Sequence, residues 1–285
     1  MMGVCSLQIH TMPKIHVRKS IEIQVPRDTV YAALRDFRQW PAWSPWLITE
    51  PDCQVTYADD GRQYAWNGKV VGAGEMVILE EAKPQSIDFL LTFIKPWKST
   101  AKVRFELNEK GAATEAIWSM ESSLPFFLFF MRPMMTAFIG MDYKRGLTML
   151  KDKLETGNVP SVLAFPGESA VAGCHYVGIN RDCALDDIGK TMTEQLEKLQ
   201  EAPFAASGKP FAIYHKWDMV KGETSFTVGV PISGIPEGLT PEMITGELPA
   251  CRTFAITHTG FCRHLGNAWS AGMFYARNRI FQQNK

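Results

Sequence analysis

The densest run of apolar residues lies at residues 124–156, where Phe and Met recur with helical spacing. At 3.6 residues per turn, these positions form two neighbouring apolar stripes. The first stripe comprises Leu128, Met131, Met135, Ile139, Tyr143, Leu147, Leu150 and Leu154. The second stripe comprises Phe127, Phe130, Met134, Phe138 and Met141. Charges collect in the later half, so the pattern predicts one long helix that stops at Gly157.

Three interpretations of this helix are open. A membrane span is disfavoured because Arg132 and Pro133 interrupt the apolar part. A plain core helix is the second interpretation. The third is a helix gripped by a curved sheet, with its Phe/Met face lining a cavity, because flexible Met side chains adapt to varied apolar ligands.

The residues upstream of the helix predict a sheet that it could cover. Seven strands are indicated by alternating patterns and turn signals, at residues 14–25, 52–58, 63–69, 74–81, 86–94, 100–107 and 113–121. A short helix follows the first strand after Pro26. In the sixth strand Ala101, Val103, Phe105 and Leu107 alternate with polar residues and are expected to face inward. Short turns between strands favour one antiparallel sheet with a single apolar face.

The segment WPAWSPW places Trp40, Trp43 and Trp46 within seven residues, beside two prolines. Such a segment is typical of a fixed loop that closes the end of a core. Contact with a ligand is the alternative interpretation.

Residues 15–156 resemble the START-like superfamily of polyketide cyclases/dehydrases and lipid transport proteins (SRPBCC). The resemblance rests on VPRDTVYAALRDFRQWPAWSPW, on GEMVILEEAKPQSIDFLLTFIKPW and on the long closing helix. It implies a helix-grip fold with a deep apolar cavity between sheet and helix. Members bind lipids, polyketides or other hydrophobic molecules, and only some catalyse reactions. No catalytic motif is shared across the superfamily, so none is carried over.

The second half has a different order of elements. Residues 158–166 carry two prolines without periodicity and are interpreted as a linker. Strands are predicted at 169–179, 209–217, 223–231 and 248–258, and helices at 185–199 and 261–281. The order β-α-β-β, then β-α, is typical of a repeated unit whose second copy lacks its last two strands.

This half resembles the gyrase-inhibitor-like (GyrI-like) effector-binding domain through GKPFAIYHKWD, FTVGVPI and FAITHTGFCRHLGNAW. The resemblance implies a groove between the two repeats that binds a drug or metabolite. Tyr214 and Trp217 match the first repeat, and Trp269 matches the second helix. The family's acidic residue follows the second helix, where this sequence has reached Lys285. We therefore expect either that the domain is C-terminally truncated, or that this half is poorly stable alone and tends to self-associate through exposed strand edges.

The predicted fold is α+β throughout, a helix-grip domain at residues 1–157, a linker at 158–166 and a GyrI-like domain at 167–285. The expected partner is a small hydrophobic molecule. Its predicted contacts are Trp66, Phe89, Phe93, Phe105, Trp118, Phe130, Met134, Phe138, Tyr214, Trp217 and Trp269.

Composition narrows the function. Lys and Arg number 30 against 30 Asp and Glu, so the chain has no net charge that would draw it to nucleic acid. No helix-turn-helix region is recognised, and no nucleic-acid partner is expected. Six cysteines without a CxxC pair, and an N-terminus without a signal peptide, favour a cytoplasmic protein with reduced thiols. Translation could begin at Met1 or at Met12.

Motifs for catalysis are missing from the sequence. It contains no GxGxxG, P-loop, HExxH or GxSxG, so no cofactor and no catalytic residue is assigned. His258 and His264 flank Cys262 without the spacing of a zinc site, and both are interpreted as surface or capping residues. Two alternatives are kept. One is a cyclase, dehydratase or hydrolase, which would need a pair of inward polar groups, with Glu75, Asp88 and Tyr143 as scattered candidates. The other is a protein-interaction or regulatory module.

Overall fold

The computed structural model describes residues 14–123 and 126–281. They divide into two compact units. The first unit comprises the chain up to Phe165 together with the residues from Ile256 onward, and the second comprises Pro166–Ala255. The second unit is therefore one continuous segment, and the first unit consists of the segments before and after it.

The first unit is built on a seven-stranded antiparallel sheet, as the sequence predicts. Its strands are β1 (Lys14–Ile23), β2 (Gln54–Tyr57), β3 (Gln63–Asn67), β4 (Ala73–Ala82), β5 (Ser86–Lys95), β6 (Ser99–Lys110) and β7 (Ala113–Ser123). They lie in the order β1-β7-β6-β5-β4-β3-β2, so consecutive strands from β2 to β7 are neighbours and β1 pairs with β7. The predicted inward face of β6 is confirmed, because Ala101, Val103, Phe105 and Leu107 are all buried.

Two α-helices accompany this sheet, α1 (Arg27–Arg35) and α2 (Arg132–Thr156). The long helix expected from residue 124 is split, because Phe126–Met131 form a 3-10 helix and the α-helix begins at Arg132. Pro133 explains the start, since proline has no N–H to donate and fits only the first turn of a helix. The helix ends as predicted at Gly157, which adopts the left-handed conformation at φ 86°. The mixed α+β architecture, with antiparallel sheets and a long helix, is consistent with a helix-grip fold.

Strand β8 (Ser161–Val171) replaces most of the linker predicted at 158–166. Ser161 and Leu163 are buried, and the residue between them is exposed. The pattern is a short alternation between two prolines, which local sequence does not distinguish from an irregular loop. Its pairing partner lies about 90 residues later in the chain, so the strand depends on a distant contact.

The second unit holds a four-stranded antiparallel sheet and one helix. Its elements are β9 (Cys174–Ala184), α3 (Ile188–Glu201), β10 (Phe211–Asp218), β11 (Glu223–Ile232) and β12 (Met243–Leu248). The strand order is β10-β11-β9-β12. The predicted pairing of the strands at 209–217 and 223–231 is confirmed. Val177, Ile179, Phe226 and Val228 form its core, with Leu199 of α3.

The last two elements are β13 (Cys251–Gly260) and α4 (Gly266–Arg277). Strand β13 pairs with β8 in a two-stranded sheet and does not extend the four-stranded one. Helix α4 belongs to the first unit, although the sequence predicts that it closes a domain at 167–285. The strand and the helix are present, but their partners differ from those of a second β-α-β-β repeat. Local sequence patterns predict that a strand or helix forms, but they do not predict which distant element it contacts.

Candidate functional site

The Trp-rich segment at residues 40–46 enters the interior of the first unit. Trp40 and Trp43 are buried, and the Trp40 indole N–H donates to the carbonyl of Leu34 at 2.9 Å. The Trp46 indole N–H donates to Asp142 Oδ2 on α2 at 3.0 Å. The expectation that this segment closes the core is confirmed.

A stack of aromatic rings fills the space between the later half of α2 and the sheet. Trp118 lies between Tyr143, at a centroid distance of 3.9 Å, and Phe105, at 4.8 Å. Trp43 and Trp46 each lie in an edge-to-face arrangement with Trp118, at centroid distances of 5.8 Å. Phe105, Trp118 and Tyr143 are fully buried. The predicted ligand contacts Phe105 and Trp118 are therefore part of the packed core.

Burial also determines the chemistry of Tyr143. It raises the pKa of the Tyr143 hydroxyl far above its usual value, and the neighbouring charge of Asp142 acts in the same direction. The hydroxyl is therefore protonated at neutral pH and is not a base.

The inner face of the sheet is less buried at the end away from the ring stack. Trp66 and Phe93 are half-buried and pack at 6.3 Å with their planes at 84°. The Trp66 ring lies against Gly74, where a Cβ would come within 2.4 Å of it, so only glycine leaves room for the ring. Met135 and Ile139 of α2 are likewise half-buried against the same core. We call Trp66, Phe93, Met135 and Ile139 the mouth.

The strand register places all parts of the mouth at one end of the sheet. Trp66 pairs with Gly74, and Gly74 pairs with Phe93. Strand β7 ends at this same end, where Ala101 pairs with Ser122. The 3-10 helix begins three residues after Ser123, and α2 follows it directly. The start of α2 therefore lies over this end.

The second apolar stripe of α2 points away from the sheet. Phe130 is 66% exposed, Met134 38% and Phe138 36%. The first stripe provides the buried contacts, with Tyr143, Leu147 and Leu150 in the core. The interpretation that the Phe/Met stripe faces the interior is corrected here. The two stripes are similarly apolar, so periodicity did not choose between them.

The polar groups weighed for catalysis do not meet. Asp88 forms an ion pair with Arg104 at 2.5 Å, and Glu75 accepts a hydrogen bond from Gln63 Nε2 at 2.9 Å. Both lie on strands whose alternate neighbours, such as Phe89 and Met76, are buried in the core. Asp88 and Glu75 therefore face the outer side of the sheet, and Tyr143 lies inside.

Comparison with protein families tests the resemblance of the first unit. Residues 14–155 match the model of the family described as polyketide cyclase / dehydrase and lipid transport. The match covers about half of the chain and supports an SRPBCC domain in this region. No curated protein matches the sequence.

Solved structures resemble the same half of the chain at low identity. A START superfamily protein from Mycobacterium smegmatis is 19% identical, with 50% of this chain and 99% of that chain covered and a TM-score of 0.37. The Aha1 dimer from Colwellia psychrerythraea is 17% identical, with 50% and 98% covered and a TM-score of 0.38. CalU16 from Micromonospora echinospora is 14% identical, with 51% and 84% covered and a TM-score of 0.35. The family match, and not these likenesses, supports the assignment of the SRPBCC domain.

The family match ends at residue 155, so the GyrI-like resemblance of residues 167–285 stays a prediction. Tyr214 and Trp217 are half-buried in the second unit, with ring centroids 5.4 Å apart. Burial raises the pKa of Tyr214, and Cys183 adds to the effect. Trp269 lies on α4, in the unit of the SRPBCC domain, and is exposed. The predicted contacts of the C-terminal half are thus divided between two units.

Sequence patterns missed a buried polar cluster that ties the C-terminal segment to the SRPBCC domain. Asp152 on α2 is buried, with its Oδ2 at 2.6 Å from His264 Nε2 and 2.9 Å from Arg263 Nε. Asn267 is also buried, and its Nδ2 donates to Ser161 Oγ at 2.9 Å. The interpretation of His264 as a surface or capping residue is therefore wrong. Asp152 lies among several charged residues in the later half of α2, so the local pattern did not single it out.

Two further findings limit the chemistry of the described residues. Within residues 14–123 and 126–281, no three His, Cys, Asp or Glu side chains gather as a metal site. None of the helices in these ranges has an apolar stretch that could cross a bilayer.

Proposed function

We propose that the SRPBCC domain binds a small hydrophobic molecule at the mouth, between the start of α2 and the sheet. The observation that carries the proposal is that Trp66, Phe93, Met135 and Ile139 are only partly buried against the core, whereas Phe89, Phe105 and Trp118 beside them are fully buried. Apolar surface of this kind gains free energy when a ligand removes it from water. The description of the matched family, which includes lipid transport, supports the same class of ligand.

The ring stack bounds the proposed site from below. Phe89, Phe105 and Trp118 are fully buried, so a ligand at the mouth would rest above them. Trp66 and Phe93 would supply the side wall, and Met135 the adaptable wall on α2. Among the predicted contacts, the outward residues Phe130, Met134 and Phe138 are left out of this site.

Adjacent methionines on α2 provide a matched test. Met135 packs against the core and Met134 is exposed, so substitution by Trp adds the same bulk to opposite faces. Binding of 1-anilinonaphthalene-8-sulfonate to the full chain is followed by fluorescence titration. We expect Met135→Trp to weaken binding about tenfold, or roughly 1.4 kcal/mol, and Met134→Trp to leave it within about twofold.

The same titration contains the outcome that rejects the proposal. If Met134→Trp weakens dye binding and Met135→Trp does not, the ligand binds the outer stripe. Unfolding curves of both variants are compared with that of the unsubstituted chain, so that a loss of binding is separated from a loss of folding. An unchanged affinity in two folded variants would remove the mouth as the site.

Catalysis and effector binding stay predictions. The polar groups considered for a cyclase, dehydratase or hydrolase lie on opposite faces of the sheet, so they add no support to the enzyme alternative. In the second unit, a hollow of about 230 Å³ is lined by His175, Tyr176 and Ile232 among others. Its residues are not the Tyr214 and Trp217 that the GyrI-like resemblance indicates.

A further inference from the structure

Exposed aromatic and aliphatic side chains cluster beside the mouth without facing into it. Ile94, near the end of β5, is 44% exposed, and Trp97, in the turn between β5 and β6, is 59% exposed. In the 3-10 helix before α2, Phe129 and Phe130 are more than half exposed. Large apolar side chains grouped at one place on a surface are a mark of an interaction site. We call Ile94, Trp97, Phe129 and Phe130 the apolar tip.

The two parts of the apolar tip lie at one end of the sheet. Phe93 pairs with Ser99 next to the β5–β6 turn, and Ala101 pairs with Ser122 near the end of β7. Strands β5 and β7 are separated only by β6, which corresponds to roughly 10 Å at the usual spacing between strands. The 3-10 helix begins three residues beyond β7.

The two segments that carry the apolar tip hold only positive charges, and the nearest carboxylate along β7 is that of the exposed Glu121. The segments 89–105 and 122–141 contain no Asp or Glu. Lys95, Lys98 and Arg132 lie within these segments and are exposed. The whole chain is electrically neutral, so this is a local excess of positive charge.

We propose that the apolar tip and its three basic residues dock the protein on a lipid surface with anionic headgroups. Trp and Phe are suited to the boundary between headgroups and acyl chains. Lys and Arg beside them are attracted to anionic lipid within a Debye length of the surface. A second copy of the chain fits less well, because pairing two such tips would bring like charges together. The inference stands apart from the proposed function, since it concerns residues outside the mouth.

The test is flotation of the full chain with vesicles of phosphatidylcholine, and with vesicles of equimolar phosphatidylcholine and phosphatidylglycerol. We expect at least about fivefold more bound protein on the anionic vesicles, with the excess falling as salt is raised. Trp97→Ser with Phe130→Ser should reduce binding to both compositions. Lys95→Glu with Lys98→Glu should abolish only the preference for anionic vesicles.

Control substitutions are available at the opposite end of the same sheet. Leu79 is 48% exposed on β4, and Lys83 is exposed in the following turn. Leu79→Ser and Lys83→Glu should bind vesicles like the unsubstituted chain. Equal losses in these controls, or no binding of the unsubstituted chain to either vesicle, would overturn the proposal.

A dimer is the other outcome that rejects it. If light scattering shows a dimer that Trp97→Ser with Phe130→Ser converts to a monomer, and flotation is unchanged, the apolar tip joins two copies. Met135→Trp keeps the result separate from the proposed function. That variant should show weakened dye binding at the mouth and still float with anionic vesicles.

Discussion

Glu81 joins three parts of the SRPBCC domain through one carboxylate. It accepts hydrogen bonds from Tyr31 Oη at 2.7 Å, Arg35 Nε at 3.0 Å and Arg62 Nη1 at 2.9 Å. Burial opposes ionisation of Glu81, but the Tyr31 hydroxyl and the two guanidinium groups outweigh it, so the pKa of Glu81 is lowered. Burial, and then Glu81, raise the pKa of Tyr31 to about 12. At neutral pH the Glu81 carboxylate is therefore ionised, and the Tyr31 hydroxyl is protonated.

The lowered pKa predicts how acid affects stability. Because the folded-state pKa of Glu81 lies below the unfolded value of about 4.3, its contribution is complete above that value and is lost as pH falls through the folded pKa. Glu81→Gln should lower the melting temperature at neutral pH and have little effect under strongly acidic conditions. Thermal unfolding by circular dichroism over a pH series measures the difference.

Glu121→Gln is the control for this pH series. Glu121 is exposed and faces His16 at 3.5 Å, so its loss should change little at neutral pH. A Glu81→Gln penalty that stays constant down to acid pH would contradict the assigned role of the carboxylate.

At the scale of elements, the two apolar stripes of α2 lie in different environments. The inner stripe joins the ring stack and the core, and the outer stripe remains exposed at its first turns. Strand β6 delivers Phe105 to the stack, where its ring lies 25° from the plane of Trp118. The stability of the grip therefore depends on rings contributed by the sheet, by α2 and by the Trp-rich segment.

Truncation of Phe105 measures this dependence. Phe105→Ala removes a fully buried ring and should cost about 3–5 kcal/mol of unfolding free energy. Leu79→Ala on the same sheet removes an exposed side chain and should cost less than about 0.5 kcal/mol. Denaturant unfolding of both variants gives the two values, and similar losses would mean that the ring stack is not the stabilising element.

At the scale of the whole molecule, the segment from Ile256 onward lies in the same compact unit as α2. Arg145 Nη1 donates to Asn267 Oδ1 at 2.6 Å, and Arg145 Nη2 donates to Ser270 Oγ at 2.9 Å. Asp152 contacts His264 and Arg263 about two turns further along α2. The second unit is thus inserted between two parts of the first, and its chain continues into a helix that packs on α2.

Hydrogen exchange tests this division. Asp152→Ala leaves the buried His264 without its carboxylate, so amide exchange in α4 should rise. Exchange in β10 and β11 should not change, because those strands belong to the other unit. Arg145→Ala is a second variant with the same expectation, and Glu121→Gln should alter neither region. Faster exchange in α4, β10 and β11 together would instead favour one C-terminal domain, as the sequence predicts.

The sequence by itself determined the local elements of this protein. The alternation in β6 fixed which residues face inward, and turn residues marked the succession of strands from β2 to β7. Helical spacing predicted that this segment is a long helix, and Gly157 marked where the helix ends. Each of these features depends on residues that are neighbours in the chain, so a local pattern is sufficient.

Tertiary structure decided which partners these elements meet. It turned Met135 inward and Met134 outward, although both methionines belong to apolar stripes of the same helix. It also paired β8 with β13 and bound His264 to Asp152, across 112 positions of the chain. The physical reason is that burial and pairing are gains shared by distant residues, whose free energy appears in neither segment alone.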